Sequence, residues 1–318
     1  MTMNASRQRG LTLIELLIAI TLSSLIIAAL ASLYIGSSRA FREDDQYARM
    51  LENGRFAMRF LSTDLQMADF WGYYMLSDSI PGASATVCGV NPYQTQSGAY
   101  GAVQVITELP GCEGALSPFG LLIRRVGGPP VPPENVTPPP SGTPTTLEAN
   151  RAYLEIRAEL KEVAYVHGGG GSSYTVDAPD SLWEYRSVAY YLDDSDADGT
   201  LELCRRSFEK DPPEPRECLI SGIEDWQFLW SLDTNSDGRA DTVESSSTVT
   251  PNELRGAVGV RICLLLRSED ELRNFNNDKT YTLCGDTKGP YNDGRLRRVF
   301  EMNVELRNAV NTIRFRSF

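Results

Sequence analysis

Histidine is nearly missing from this chain: among 318 residues there is only His167. It stands directly before Gly168–Gly171, with no partner group in sight, which is a poor setting for a general base or a zinc ligand. His167 is expected to be an exposed loop residue. No nucleophile elbow, P-loop or dinucleotide fingerprint occurs either, so no catalytic residues are expected and the chain reads as a non-enzyme. Positive charge is also scarce. Lys and Arg total 30 against 42 Asp and Glu, a net charge of -12. Neutralising phosphates needs clustered cations, so a nucleic-acid partner is excluded. No CxxC occurs, and proline is absent between residues 11 and 68.

What is present suits a folded, exported domain. Hydrophobic residues make up 42 %, enough for a sizeable core. The six cysteines are Cys88, Cys112, Cys204, Cys218, Cys263 and Cys284. An even number at wide spacing points to disulfides in an oxidising compartment. Pairing between neighbours is expected: Cys88–Cys112, Cys204–Cys218 and Cys263–Cys284. Buried free thiols are the alternative.

Residues 1–10 are short and polar and carry Arg7 and Arg9. Residues 11–35 are predominantly apolar, and as a helix they would span roughly 37 Å, enough for a bilayer core. Basic residues upstream predict a cytoplasmic N-terminus and an exported remainder. A secretory signal cut near Ala28, Ala29 and Ala31 is the competing reading. Glu15 speaks against it as the one charge inside the apolar run. A carboxylate at membrane depth costs roughly 2.5–3.5 kcal/mol and usually has a partner and a function.

The string Gly10-Leu11-Thr12-Leu13-Ile14-Glu15 resembles the type IV prepilin cleavage and methylation motif, with Leu11 where Phe is usual. The resemblance implies cleavage by prepilin peptidase between Gly10 and Leu11 and methylation of the new amine. It also implies that Glu15 pairs with the terminal amine of a neighbouring subunit. Two opposite charges in lipid offset each other's desolvation and fix the axial register between helices.

Beyond Gly36 the helical period continues through Tyr47, Leu51, Gly54, Met58, Leu61, Leu65 and Ala68, a single apolar stripe. Residues 11–68 are therefore expected to form one helix, with 11–35 in lipid and 36–70 laid on a globular domain of residues 71–318. The string Glu52-Asn53-Gly54-Arg55-Phe56 and the aromatic-Gly turn ending at Gly72 resemble the PilW family of minor pilins. Gly222–Leu229 and Arg298–Asn308 resemble the same family. What this resemblance implies is an α+β pilin fold, a long N-terminal helix packed on an antiparallel sheet.

Within the globular part, Ala102–Ile106, Gly120–Arg125, Glu184–Leu192, Thr200–Ser207, Ile223–Asp233, Ala257–Arg267, Thr280–Leu283 and Arg295–Arg307 read as strands. Residues 127–144, rich in Pro and Gly, cannot join a central sheet and read as an exposed loop, as do residues 168–173.

Two acidic stretches could bind calcium. Asp233, Asn235, Asp237, Gly238, Arg239 (through its carbonyl), Asp241 and Glu244 fit the EF-hand loop spacing. Asp194, Asp196, Asp198 and Gly199 repeat the first half, with Glu202 to complete the shell. The alternative for each is a hairpin turn that binds nothing.

The family resemblance implies a minor pilin of a type IV pilus, with the domain in the periplasm until the subunit enters a priming or tip complex. Implied partners are other minor pilins, the major pilin, prepilin peptidase, the inner-membrane assembly platform and membrane lipid. Pili of this kind serve adhesion and twitching motility. A type II secretion pseudopilin would share the leader and helix, and a pilus-displayed adhesin is a further alternative.

Overall fold

A computed structural model describes residues 12–72, 102–108, 115–128, 130–131, 144–157, 162–167, 173–177, 180–194, 199–210 and 214–309. The chain divides into two compact units, Met1–Arg49 and Met50–Phe318. Helix α1, Leu13–Met67, contributes residues to both.

In the first unit the helix is apolar and bare. Leu13, Ile14, Leu17, Leu25 and Leu33 are each more than half exposed. This helix is long and apolar enough to cross a membrane, and its most apolar stretch buries nothing within the chain. So much exposed hydrocarbon has no place in water, which makes lipid or other helices its natural solvent.

The second unit contains two antiparallel sheets. In the first, β1 (Val103–Glu108), β2 (Ala115–Gly127), β7 (Ser181–Asp193), β4 (Ala152–Arg157) and β5 (Glu162–His167) lie in that order. β8 (Glu202–Ser207) extends it from β7 and is paired with β9 (Glu217–Ser221). The second sheet runs β11 (Thr242–Ser245), β10 (Ile223–Leu232), β12 (Ala257–Arg267), β15 (Arg297–Glu305). Two small two-stranded sheets stand apart: β3 (Pro144–Thr146) with β6 (Ser173–Thr175), and the hairpin of β13 (Tyr281–Leu283) with β14 (Asp286–Lys288). The architecture is α+β. Strands β4 and β5 were not legible in the sequence, and β2 and β7 run longer than expected. Pro144 lies in a separate two-stranded sheet rather than a large one, in keeping with its missing N–H.

The period-2 pattern of β10 explains the core. Trp226, Phe228, Trp230 and Leu232 alternate inward, and all are buried. Phe119 of β2 stacks on Trp226 with ring centroids 5.7 Å apart, joining the two sheets. From α1, Met50, Ala57, Met58, Leu61 and Leu65 enter the same cluster, with Ala68 just beyond the helix. The stripe therefore differs from the expected one. Met50 and Ala57 are buried, Leu51 is half-buried, and Tyr47 is 39 % exposed. Gly54, on the stripe as expected, is buried under Phe300 of β15. A Cβ there would stand 2.5–2.7 Å from the Phe300 ring, so only glycine lets that strand approach the helix so closely. Beside it, Asn53 donates through Nδ2 to the Ser221 carbonyl at 3.2 Å. The Asn53-Gly54 pair thus ties α1 to β9 and to β15.

The helix ends where Asp69 takes a positive φ of 63°. Its N–H then donates to the Arg124 carbonyl, and Val126 N–H donates to the Phe70 carbonyl, so the chain leaves α1 already pinned to β2. Trp71 stacks on Tyr185, and Phe70 meets Trp183 edge-on. At Gly72, φ is 73° and a Cβ would collide with the Trp183 indole. Two disulfides close the unit. Cys204–Cys218 joins β8 to β9, and Cys263–Cys284 fastens the β13–β14 hairpin to β12. Cys88 and Cys112 lie outside the described residues.

Candidate functional site

At the start of α1 a side chain and the backbone satisfy each other. Thr12 N–H and Thr12 Oγ1 both donate to Glu15 Oε2 at 2.9 Å, and Glu15 N–H is 3.4 Å from Thr12 Oγ1. This is a capping box, with Thr12 as N-cap and Glu15 as the third helical residue. It consumes one carboxylate oxygen and leaves Oε1 accessible on an exposed residue. Glu15 sits at the mouth of the bare apolar helix, a single acid where hydrocarbon begins. Gly10 and Leu11 lie outside the described residues.

The acidic stretch 233–241 forms the turn between β10 and β11 and folds onto itself. Asp233 accepts the N–H groups of Asn235, Ser236 and Gly238, the last through Oδ2 at 2.6 Å. Asn235 Oδ1 accepts from Asp237 N–H, and Asp237 Oδ1 from Arg239 N–H. Asp241 accepts both the N–H and the hydroxyl of Thr234 at 2.9 Å. The Thr234 N–H, ahead of its hydroxyl, holds the Asp241 carboxyl below the usual carboxylate range. Asn235 Nδ2 reaches Asp241 Oδ1 at 3.2 Å, so side chains from opposite ends of the turn meet. The sharp bend falls at Ser236 and Gly238, both with positive φ. Glu244 stands apart. It lies in β11 opposite Trp230 and accepts from Thr248 Oγ1 at 2.8 Å.

Of the second acidic stretch, Asp196 and Asp198 lie outside the described residues. Asp194 Oδ2 accepts the Gly199 N–H at 3.0 Å, the same one-to-six closure seen in the first turn. Glu202 opens β8, and its carboxylate lies within 4.8 Å of the sulfurs of Cys204 and Cys218. Those sulfurs are bonded to each other, so they offer no thiolate to a metal.

His167 departs from expectation. It ends strand β5, paired with Ala152, rather than lying in a loop. Sequence reasoning also passed over two groups of arginines. One surrounds a cleft beside α1, where residues distant in sequence converge. The other is Arg297, whose side chain is 1 % exposed and which is held by Glu224 and Asp293. Only the fold reveals either.

Two family models match. Residues 5–31 match the prokaryotic N-terminal methylation motif, a span that includes Gly10, Leu11 and Glu15. Residues 189–308 match type IV pilus-assembly protein W, a span that covers the whole second sheet, the acidic turn and both disulfides. No curated protein and no solved structure matches the chain. With a methylation motif on its apolar helix and a region similar to type IV pilus-assembly protein W at the far end, the chain resembles type IV prepilin-like proteins of the PilW family.

Proposed function

We propose that this chain is a minor pilin, cut by prepilin peptidase after Gly10, methylated at Leu11, and inserted into a type IV pilus as part of a priming or tip complex. Before assembly the helix waits in the inner membrane, N-terminus cytoplasmic, with residues 71–318 in the periplasm. Residues 11–35 supply lateral packing, and Glu15 supplies registry by pairing with the amine of a neighbouring subunit. The observation that carries this reading is the lone exposed acid at the start of an unburied apolar helix, inside a match to the methylation motif. The role is structural and needs no catalytic residue. Its partners are other minor pilins, the major pilin, the peptidase and the assembly platform.

Deleting the gene tests the reading. Cells that lose surface pili and regain them on complementation support assembly. Normal pili with poor attachment would contradict it and point to an adhesin, whereas normal pili with failed protein secretion would point to a pseudopilin.

The turn at Asp233–Asp241 is read as a calcium turn. After these hydrogen bonds Asp233 Oδ2, Asp237 Oδ1 and Asp241 Oδ1 each accept a single hydrogen bond and keep a lone pair, and Asp233, Asn235, Asp237 and Asp241 are held close by one another's backbone and side chains. The Arg239 carbonyl completes the set, and Glu244 and the Asp194 turn are secondary candidates. Calorimetry on the detergent-solubilised chain is expected to show heat of calcium binding that Asp237→Ala diminishes. No heat in either protein, or the same heat in both, ends the idea.

A further inference from the structure

Just past the apolar run, and still in the first unit, Arg39, Arg42, Glu43 and Asp44 stand exposed on α1. Their order along the axis is uneven. The two cations come first, and the acids Glu43, Asp44 and Asp45 follow. One acid is already used: Asp45 lies 3.1 Å from Arg49, four residues on, the acid-first order that a single helix closes well. Arg39 and Glu43 are also four residues apart, but the cation comes first, the weaker order within one helix. Among the described residues neither makes an ion pair.

A second, parallel copy of this helix meets these charges in one of two ways. Level with the first, it sets Arg39 against Arg39 and acids against acids, which is repulsive. Offset by four residues, about 6 Å, it sets Arg39 of one copy beside Glu43 of the other, and Asp45 beside Arg49. The same offset places the amine of Leu11 beside Glu15 in the registry reading. Arg39 follows Leu11, and Glu43 follows Glu15, by four heptads, the spacing that returns to one side of two helices wound left-handedly about each other. The helix surface leading up to this segment does not hold a neighbour away. Ser24 and Ser32 donate to carbonyls of their own helix at 2.8 Å, and above Gly36 nothing lies within 4 Å of where a Cβ would stand.

We infer that the exposed stretch of α1 at residues 39–49 packs against the same stretch of a second copy of this chain, offset by about one turn, with Arg39 of one facing Glu43 of the other. The offset rests on the assembly reading; the charge order that favours it over level pairing does not.

The test uses the full chain in whole cells, expressed as two differently tagged copies and oxidised mildly. Ser32→Cys in one copy and Gly36→Cys in the other report the offset and leave every charge in place. They are expected to give a two-tag adduct, and Ser32→Cys in both copies, which reports level pairing, should give at least roughly fivefold less. Adding Arg39→Glu to both copies should lower the offset adduct by at least roughly fivefold, the scale of an accessible ion pair turned to repulsion. Arg39→Glu in the Ser32→Cys copy with Glu43→Arg in the Gly36→Cys copy should restore it, which a variant that merely misfolds would not do. No two-tag adduct, equal adducts from level and offset pairs, or an offset adduct unmoved by Arg39→Glu overturns the inference. An adduct joining Ser32→Cys to a different protein in place of the second copy also overturns it and assigns this face to another pilin. Oxidation of whole cells counts the adduct wherever the chain resides. The sheared-fibre fraction, blotted in parallel, reports the assembly reading by itself, so the two failures stay distinguishable.

Discussion

Replacing Glu15 with glutamine is expected to leave the protein in the membrane and remove it from the fibre. The capping box makes this substitution sharper than alanine. Glutamine can still accept from Thr12 at the third helical position, so the helix start survives, while the charge is lost. Insertion becomes easier, since no carboxylate enters the lipid. What disappears is the charge-assisted bond to a neighbour's amine, worth about 1.5–3 kcal/mol. That corresponds to a roughly tenfold to hundredfold fall in the amount recovered with sheared fibres, at constant membrane content. Glu15→Ala should show the same fall together with a frayed first turn. Immunoblots of membrane and fibre fractions read both quantities. Wild-type fibre content in both variants would remove Glu15 from the registry role.

The second large effect is expected at Arg297, in the second unit. Its guanidinium binds Glu224 in a fork at 2.5 and 2.8 Å and Asp293 at 2.6 and 2.7 Å. It also lies 3.7 Å from the centre of the Tyr291 ring. With the side chain 1 % exposed, Arg297→Ala strands two carboxylates in a site built around their cation. A loss of about 3–5 kcal/mol is expected, the scale for breaking a buried pair from one side. Arg297→Lys keeps the charge but not the fork, so it should fall between.

The acid limb of stability carries the same signature. The Arg297 bond, with help from the Arg295 N–H, holds the Asp293 carboxyl below its ordinary value. A depressed carboxylate contributes stability that is present above its unfolded pKa and lost as pH falls through the lower folded value. Denaturation of the wild type should therefore steepen in that acidic window, and Arg297→Ala should flatten it. Unchanged midpoints across the series would show that the cluster is inert.

Much of the fold could be read from local pattern. The apolar run, Glu15 and the helical period require only near neighbours, so α1 and its N-terminal acid were visible without coordinates. Strand β12 was also visible, because Ala257–Arg267 is a predominantly apolar run of strand length. Most of the helix stripe was visible too, since Gly54, Met58, Leu61, Leu65 and Ala68 are buried as expected, but the burial of Met50 and Ala57 where Tyr47 is exposed was not. Strands β4 and β5 were hidden as well. β4 is buried on both faces, so Ala152–Ile156 shows no alternation. The acidic turn was legible as spacing, since Asx-type closure is local, but Glu244 fits the pattern by number while its strand carries it to Thr248. The arginine cleft and the Arg297 cluster depend on strands brought together from across the chain, and no window along the sequence contains them.

The most direct measurement is intact-mass and N-terminal peptide analysis of the protein recovered from sheared fibres. A mature chain that begins at Leu11 and carries one methyl group on its amine is the expected result. A chain that retains residues 1–10, or one trimmed after the apolar run near Ala31 and found free of fibres, would contradict the account.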